Sequence, residues 1–98
     1  VAGSGPGYVF EMLRAYVEAA EELGFSEEDA KSLVLGTVSG TLELARQSDL
    51  SLETLRTNVT SKGGTTAAGL DALNGNGEYS GLIRNTLQAA YQRATELR

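Results

Sequence analysis

The chain has 98 residues, 41% of them hydrophobic, and its 13 acidic and 8 basic residues give a net charge of −5. This is one domain's worth of sequence, able to remove only about 60–65% of its unfolded surface from water. No apolar run approaches the roughly 18 residues of a membrane span, and the basic residues are too scattered to form an electropositive stripe, so neither a membrane nor a nucleic acid is expected as partner. Cysteine and histidine are both absent, which removes disulfides, thiolate chemistry, the usual zinc ligands and the common neutral-pH general base. Self-contained catalysis and a metal site are therefore not expected. The lack of cysteine fits a reducing, cytoplasmic setting. The sequence opens Val1-Ala2-Gly3 without Met or a signal-type segment and is expected to be a piece of a longer protein.

From Tyr8 to Leu23, the charged residues Glu11, Arg14, Glu18 and Glu21 recur at steps of three and four and so share one helical stripe. The rest is apolar, including Val9, Phe10, Met12, Leu13, Tyr16, Val17 and Leu23. Such a helix has two faces to bury, and a second subunit is the simplest cover for the extra one. Gly24 supplies a residue able to end the helix at positive φ. Ser26 and Asp29 form a capping box for a second helix, with Glu27 and Glu28 where the helix dipole favours negative charge. These acids are read as a capped, solvated helix start rather than a metal site.

The second helix runs to about Gln47, with Ala30, Val34, Val38, Leu42 and Ala45 on one face. Gly36 and Gly40, beside Thr37 and Thr41, either admit a close neighbouring helix or are merely tolerated. Ser51 caps a short third helix carrying Leu52, Leu55 and Val59. A fourth helix starts near Thr65 or Thr66, carries Ala67, Leu70 and Leu73, and ends at Asn74-Gly75-Asn76-Gly77, read as a helix-to-helix turn because both flanks have helical periodicity. The last helix places Tyr79, Ile83, Leu87, Ala90, Ala94 and Leu97 on one face. No strand is expected, so residues 1–98 read as one all-α, five-helix domain.

Two glycine-rich stretches invite comparison with nucleotide-binding loops. Gly3-Ser4-Gly5-Pro6-Gly7 lacks the G-x-G-x-x-G spacing and a preceding strand, and reads instead as a helix start with Pro6 just inside it. Thr60-Ser61-Lys62-Gly63-Gly64-Thr65-Thr66 has its glycines after the lysine and is no Walker A loop. It still has an anion-holding logic. Paired glycines let backbone N–H groups crowd a small ligand, the following helix adds unpaired donors, and Ser61, Thr65 and Thr66 add hydroxyls. A plain interhelical connector with threonine caps is the competing reading.

The wording of two segments bears on that choice. GSGPGY at Gly3 to Tyr8 and LRTNVTSKGGTTAAGLDAL at Leu55 to Leu73 resemble the C-terminal domain of the pyrroline-5-carboxylate reductase family, whose pattern reads GSGPAY, then L-R-x-x-V-x-S-P-G-G-T-T and G-L-x-x-L. The resemblance implies a helical domain that interlocks with a second copy as a homodimer or a larger assembly. It also implies an N-terminal domain, outside this chain, that holds NADP or NAD, and a reaction in which hydride reduces 1-pyrroline-5-carboxylate to L-proline. Carried over by position, Ser61, Gly63, Gly64, Thr65 and Thr66 hold the substrate carboxylate, Thr66 is the catalytic hydroxyl toward the ring nitrogen, and Asn58 and Val59 border the nicotinamide.

Two positions depart from the pattern: Lys62 stands at the family proline and Gly7 at an alanine. The resemblance further implies that this chain alone binds no cofactor and is inactive. The alternatives are a non-catalytic helical dimerisation module and, less attractively, a domain of a β-hydroxyacid-type dehydrogenase. That chemistry uses a lysine within a helix, whereas Lys31 lies close to a solvated helix start.

Overall fold

The computed structural model describes residues 2–97. They form five helices, α1 Gly5–Glu22, α2 Glu27–Gln47, α3 Leu52–Asn58, α4 Thr65–Asn74 and α5 Glu78–Glu96, with no strand among the described residues. The expected all-α order is found. The chain divides into two compact units, one spanning Ala2–Leu50 and one beginning at Ser51.

In the first unit α1 starts at Gly5, with Ser4 as N-cap and Pro6 in the first turn, the helix start read from the sequence. Proline is harmless there because the first N–H groups of a helix have no internal partner. Ser4 makes no side-chain cap bond, since its own backbone is already helical (φ −92°, ψ −22°), whereas a capping side chain needs an extended one. At the other end the Leu23 N–H donates to Ala20 O at 3.1 Å and the Gly24 N–H to Glu21 O at 2.9 Å. Gly24 has φ +112°, the positive-φ terminator read from the sequence. Ser26 is extended (φ −65°, ψ 160°), and its Oγ accepts from the Asp29 N–H at 3.1 Å. Glu27, Glu28 and Asp29 fill the first turn of α2 and Arg46 sits in its last, the polarity that the macrodipole favours.

α1 packs against α2, with Leu13, Val17 and Ala20 of α1 half-buried. On α2 the fully buried residues are Ala30 and Val34, at 0% and 2% exposure. Val38 and Ala45 are half-buried, but Leu42 is 52% exposed, contrary to the expected face. A second apolar stripe of α1, made of Val9, Met12, Tyr16 and Leu23, stays exposed, with Phe10 bare at 71%. The helix has the two apolar sides read from its sequence, and α2 covers one of them. Among the described residues Gly36 and Gly40 have nothing within 4 Å of where a Cβ would lie.

The opposite stripe of α1 carries a small ion-pair network. Arg14 donates to both carboxylate oxygens of Glu11, at 2.7 and 3.0 Å, and to Glu18 at 2.9 Å. The hydrogen bonds and charge of Arg14 hold the Glu11 carboxyl below its ordinary range.

In the second unit Ser51 is extended (φ −66°, ψ 155°), and its Oγ accepts from the Thr54 N–H at 3.1 Å. α4 packs against α5. The turn between them is the helix-to-helix connection expected. Asn74, the last residue of α4, reaches forward, its Oδ1 accepting from the Ser80 N–H at 3.0 Å and its Nδ2 donating to Ser80 Oγ at 2.9 Å. It thereby caps α5, whose own N-cap, Gly77 at φ +82°, has no side chain to do so. On α5 Tyr79, Ile83 and Ala90 are half-buried, Leu87 is 37% and Leu97 69% exposed, and Ala94 is exposed. The reason is length: the 10 residues of α4 cannot span the 19 of α5 at 1.5 Å per residue.

Val34→Ala is expected to lower stability by about 1.5–2.5 kcal/mol, the transfer and cavity cost of two buried methyl groups, read as a shift in the urea midpoint. The Glu11 contribution has the sign of a depressed carboxyl: present above its unfolded-state pKa and lost as pH falls through the lower folded value. Helicity of Glu11→Gln at neutral pH and low salt should therefore fall slightly below wild type, with the difference vanishing in acid or high salt.

Candidate functional site

The glycine-rich segment is built by short-range constraints. α3 closes with the Val59 N–H donating to Arg56 O at 3.3 Å and the Thr60 N–H to Thr57 O at 3.1 Å, while Thr60 Oγ1 donates to Arg56 O at 2.6 Å. The chain then reverses in one turn, Ser61 to Gly64, sealed by the Gly64 N–H donating to Ser61 O at 3.1 Å. Gly63 has φ +74°, while no non-glycine residue has positive φ among the described residues. This is the signature of a type II turn, with glycine at its third position and Lys62 at its second. That second position is the one proline favours, so the family proline and Lys62 suit the same backbone.

Gly64 is the N-cap of α4, at φ −86° and ψ −178°, and offers no side chain for capping. A Cβ there would lie 2.5 Å from Ser61 Oγ, so the Ser61 hydroxyl stands over the helix mouth in space that only glycine leaves open. The first bond into α4 is the Ala68 N–H to Gly64 O at 3.2 Å. The N–H groups of Thr65, Thr66 and Ala67 precede it and have no intrahelical acceptor. An oxyanion at this helix start would meet oriented donors, the positive end of the dipole and three hydroxyls.

The site residues named from the sequence thus lie together on one stretch. Asn58 ends α3, Val59 is its C-cap at 69% exposure, Ser61 and Gly63 form the turn, and Thr65 and Thr66 open α4, all exposed, with Gly64 half-buried. The Gly64 N–H bonds Ser61 O within the turn, and the N–H of Ala67, which the sequence did not single out, is the third without an intrahelical acceptor because α4 starts at Thr65. An open groove of about 610 Å³ in the same unit, lined among others by Arg56, Thr60, Leu70, Asp71 and Tyr79, was also not foreseen, because it needs α4 and α5 in register. Lys62 is the one titratable side chain from Asn58 to Thr66, so the loop can hold and orient an anion and donate hydrogen bonds. Among the described residues no group of three or more Asp and Glu side chains is placed to hold a metal.

A helical domain with bare apolar sides and an anion-ready loop is of the class that works within a larger assembly. The chain matches the family described as pyrroline-5-carboxylate reductase dimerisation over residues 1–97 and belongs to it. It is 38% identical over 97 residues to pyrroline-5-carboxylate reductase of Staphylococcus haemolyticus, and 39% identical over 99 residues to that of Staphylococcus epidermidis; each alignment covers 99% of this chain and 35% of the relative. The crystal structure of Plasmodium falciparum pyrroline carboxylate reductase with NADP bound is similar with a TM-score of 0.88 at 35% identity, covering 93% of this chain and 36% of that one. The chain therefore spans about a third of the length of the relatives it matches.

The turn geometry makes two opposite expectations. Lys62→Pro should stabilise the fold by about 0.4–1 kcal/mol, because Lys62 sits at the turn position proline favours and the unfolded chain loses freedom. Gly63→Ala should destabilise it by about 1–2 kcal/mol through its positive φ. Thermal melts of the two variants beside wild type check both.

Proposed function

We propose that the protein containing this chain reduces 1-pyrroline-5-carboxylate to L-proline with NADPH or NADH, the last step of proline biosynthesis in the cytoplasm. In this reading the chain joins two subunits and holds the substrate carboxylate. The observation that carries the proposal is the family match along residues 1–97 falling on a loop whose unpaired donors suit a small anion.

The substrate is a cyclic imine with one carboxylate. The Ser61 hydroxyl and the N–H groups of Thr65 and Thr66 hold that carboxylate, and the Thr66 hydroxyl donates toward the ring nitrogen. Gly63 and Gly64 keep the approach free of side chains, and Asn58 and Val59 border the side from which hydride arrives. A nicotinamide cofactor supplies that hydride when bound. In this reading the dinucleotide is held mainly by the domain outside this chain. What this chain contributes is positioning and electrostatics.

The dimer follows from surface. Val9, Phe10, Tyr16 and Leu23 on α1 and the leucines Leu33, Leu44 and Leu82 are exposed, and they are the surface that a second copy covers.

With the upstream domain present, the protein should oxidise NADPH or NADH in the presence of 1-pyrroline-5-carboxylate, and Thr66→Ala should lower kcat/KM by roughly ten- to a hundred-fold, the loss expected for a hydrogen bond in transit. A folded full-length protein without activity would instead mark this chain as a dimerisation module alone. Light scattering at micromolar concentration should return twice the chain mass or a larger multiple; a monomeric mass contradicts the dimer.

A further inference from the structure

The turn joining α4 to α5 contains two successive Asn-Gly pairs, Asn74-Gly75 and Asn76-Gly77, which the loop chemistry above leaves unused. Asn-Gly is the dipeptide most open to spontaneous succinimide formation, because glycine lacks the Cβ that would hinder its amide nitrogen from reaching the neighbouring side chain. Sequence alone makes the two pairs equivalent, but the structure does not.

Asn74 lies within α4, and both ends of its amide are engaged by Ser80, Oδ1 by the N–H at 3.0 Å and Nδ2 by Oγ at 2.9 Å. Its attacking partner is held as well, since the Gly75 N–H donates to Asp71 O at 2.8 Å. A Cβ on Gly75 would collide with Asp71, so this helix end is tight. Asn76 lies outside both helices and is exposed. Its amide meets only Glu78, two residues on: Nδ2 donates to Oε1 at 3.1 Å and Oδ1 accepts from the N–H at a long 3.3 Å. The Gly77 N–H donates to Asn74 O at 3.0 Å, and Gly77 sits at φ +82°. Both glycine nitrogens thus carry one backbone bond and both asparagine amides carry two, and what distinguishes the pairs is place: Asn74 is half-buried in the last turn of α4 with its bonds spanning the turn to Ser80, whereas Asn76 is exposed, outside both helices, and held by longer bonds to a near neighbour.

We propose that Asn76 is a spontaneous modification site of this protein and that Asn74 is protected by its clasp on Ser80. The Gly77 nitrogen bonds to Cγ of Asn76, the Cγ–Nδ2 bond breaks, and Nδ2 leaves as ammonia with the proton from Gly77. Water then opens the cyclic imide at either carbonyl, giving aspartate or isoaspartate at position 76; no oxidant or reductant is involved. The isoaspartate product routes the backbone through an extra methylene immediately before the left-handed residue that directs α5. The added carboxylate faces Glu78 at the start of that helix.

The test is incubation of the purified protein at mildly alkaline pH, with peptide mapping by tandem mass spectrometry and isoaspartate methyltransferase labelling. Cleavage after Lys62 and Arg84 leaves both pairs on one peptide, so their rates compare internally. Asn76 should convert about ten-fold faster than Asn74, because freeing Asn74 also opens the last turn of α4 while Asn76 lies in an exposed turn. Ser80→Ala should raise the rate at Asn74 toward that at Asn76. Conversion at Asn74 as fast as at Asn76 in wild type overturns the inference, as does a rate at Asn76 no higher than at Asn58 or Asn85. The wild-type comparison stands whether or not the Ser80 variant folds.

Discussion

Burial in this chain rests on the seam between α1 and α2, where Ala30 and Val34 lie beneath Leu13, Val17 and Ala20. Small side chains at the centre let the two helices approach closely, but they leave little apolar area to bury. Ordering each residue costs about 1–2 kcal/mol of backbone entropy, so a chain with so narrow a seam has strong reason to cover its other apolar sides. The ion-paired stripe of Glu11, Arg14 and Glu18 fixes which side of α1 faces water. Val9, Tyr16 and Leu23 remain exposed, and in the proposed dimer a second copy covers them.

The loop obeys a different logic, since nothing in it depends on a core. Ser51 starts α3, the Thr60 hydroxyl helps close it, one turn reverses the chain, and Gly64 starts α4 without a cap. Each device is a hydrogen bond or a dihedral within a few residues. An uncapped helix start is a small local cost that turns into binding capacity, because the donors no side chain has claimed are the ones that an anion can use.

This difference explains what could be read from the sequence. The caps at Ser26 and Ser51, the terminator Gly24 and the order of five helices are local and were legible. The helix start at Ser4 and Pro6 was legible too, though whether Ser4 makes a side-chain cap bond depends on its own backbone angles, which its residue type does not fix. The exposure of the far half of α5 depends on where α4 stops. The Asn74 clasp on Ser80 crosses a turn whose shape is set by Gly77, and the use of the Gly64 N–H within the turn is a property of dihedrals rather than of composition. At the candidate site, the sequence named the stretch, and geometry shows which of its backbone N–H groups already have a partner.

Lys62 shows how the two levels combine. Its backbone suits a proline, so lysine there gives up a constraint on the unfolded chain and gains a charge. An exposed ammonium acts over roughly 8 Å at physiological ionic strength and is weakened by salt, and it has no fixed direction. The N–H groups of Thr65, Thr66 and Ala67 are fixed by α4 and lose no conformational freedom when they bind. Lys62 can therefore raise the local concentration of an anion, while in the proposed function the discrimination of a carboxylate on a flat imine ring from any other anion falls to the helix start and to the hydroxyls around it.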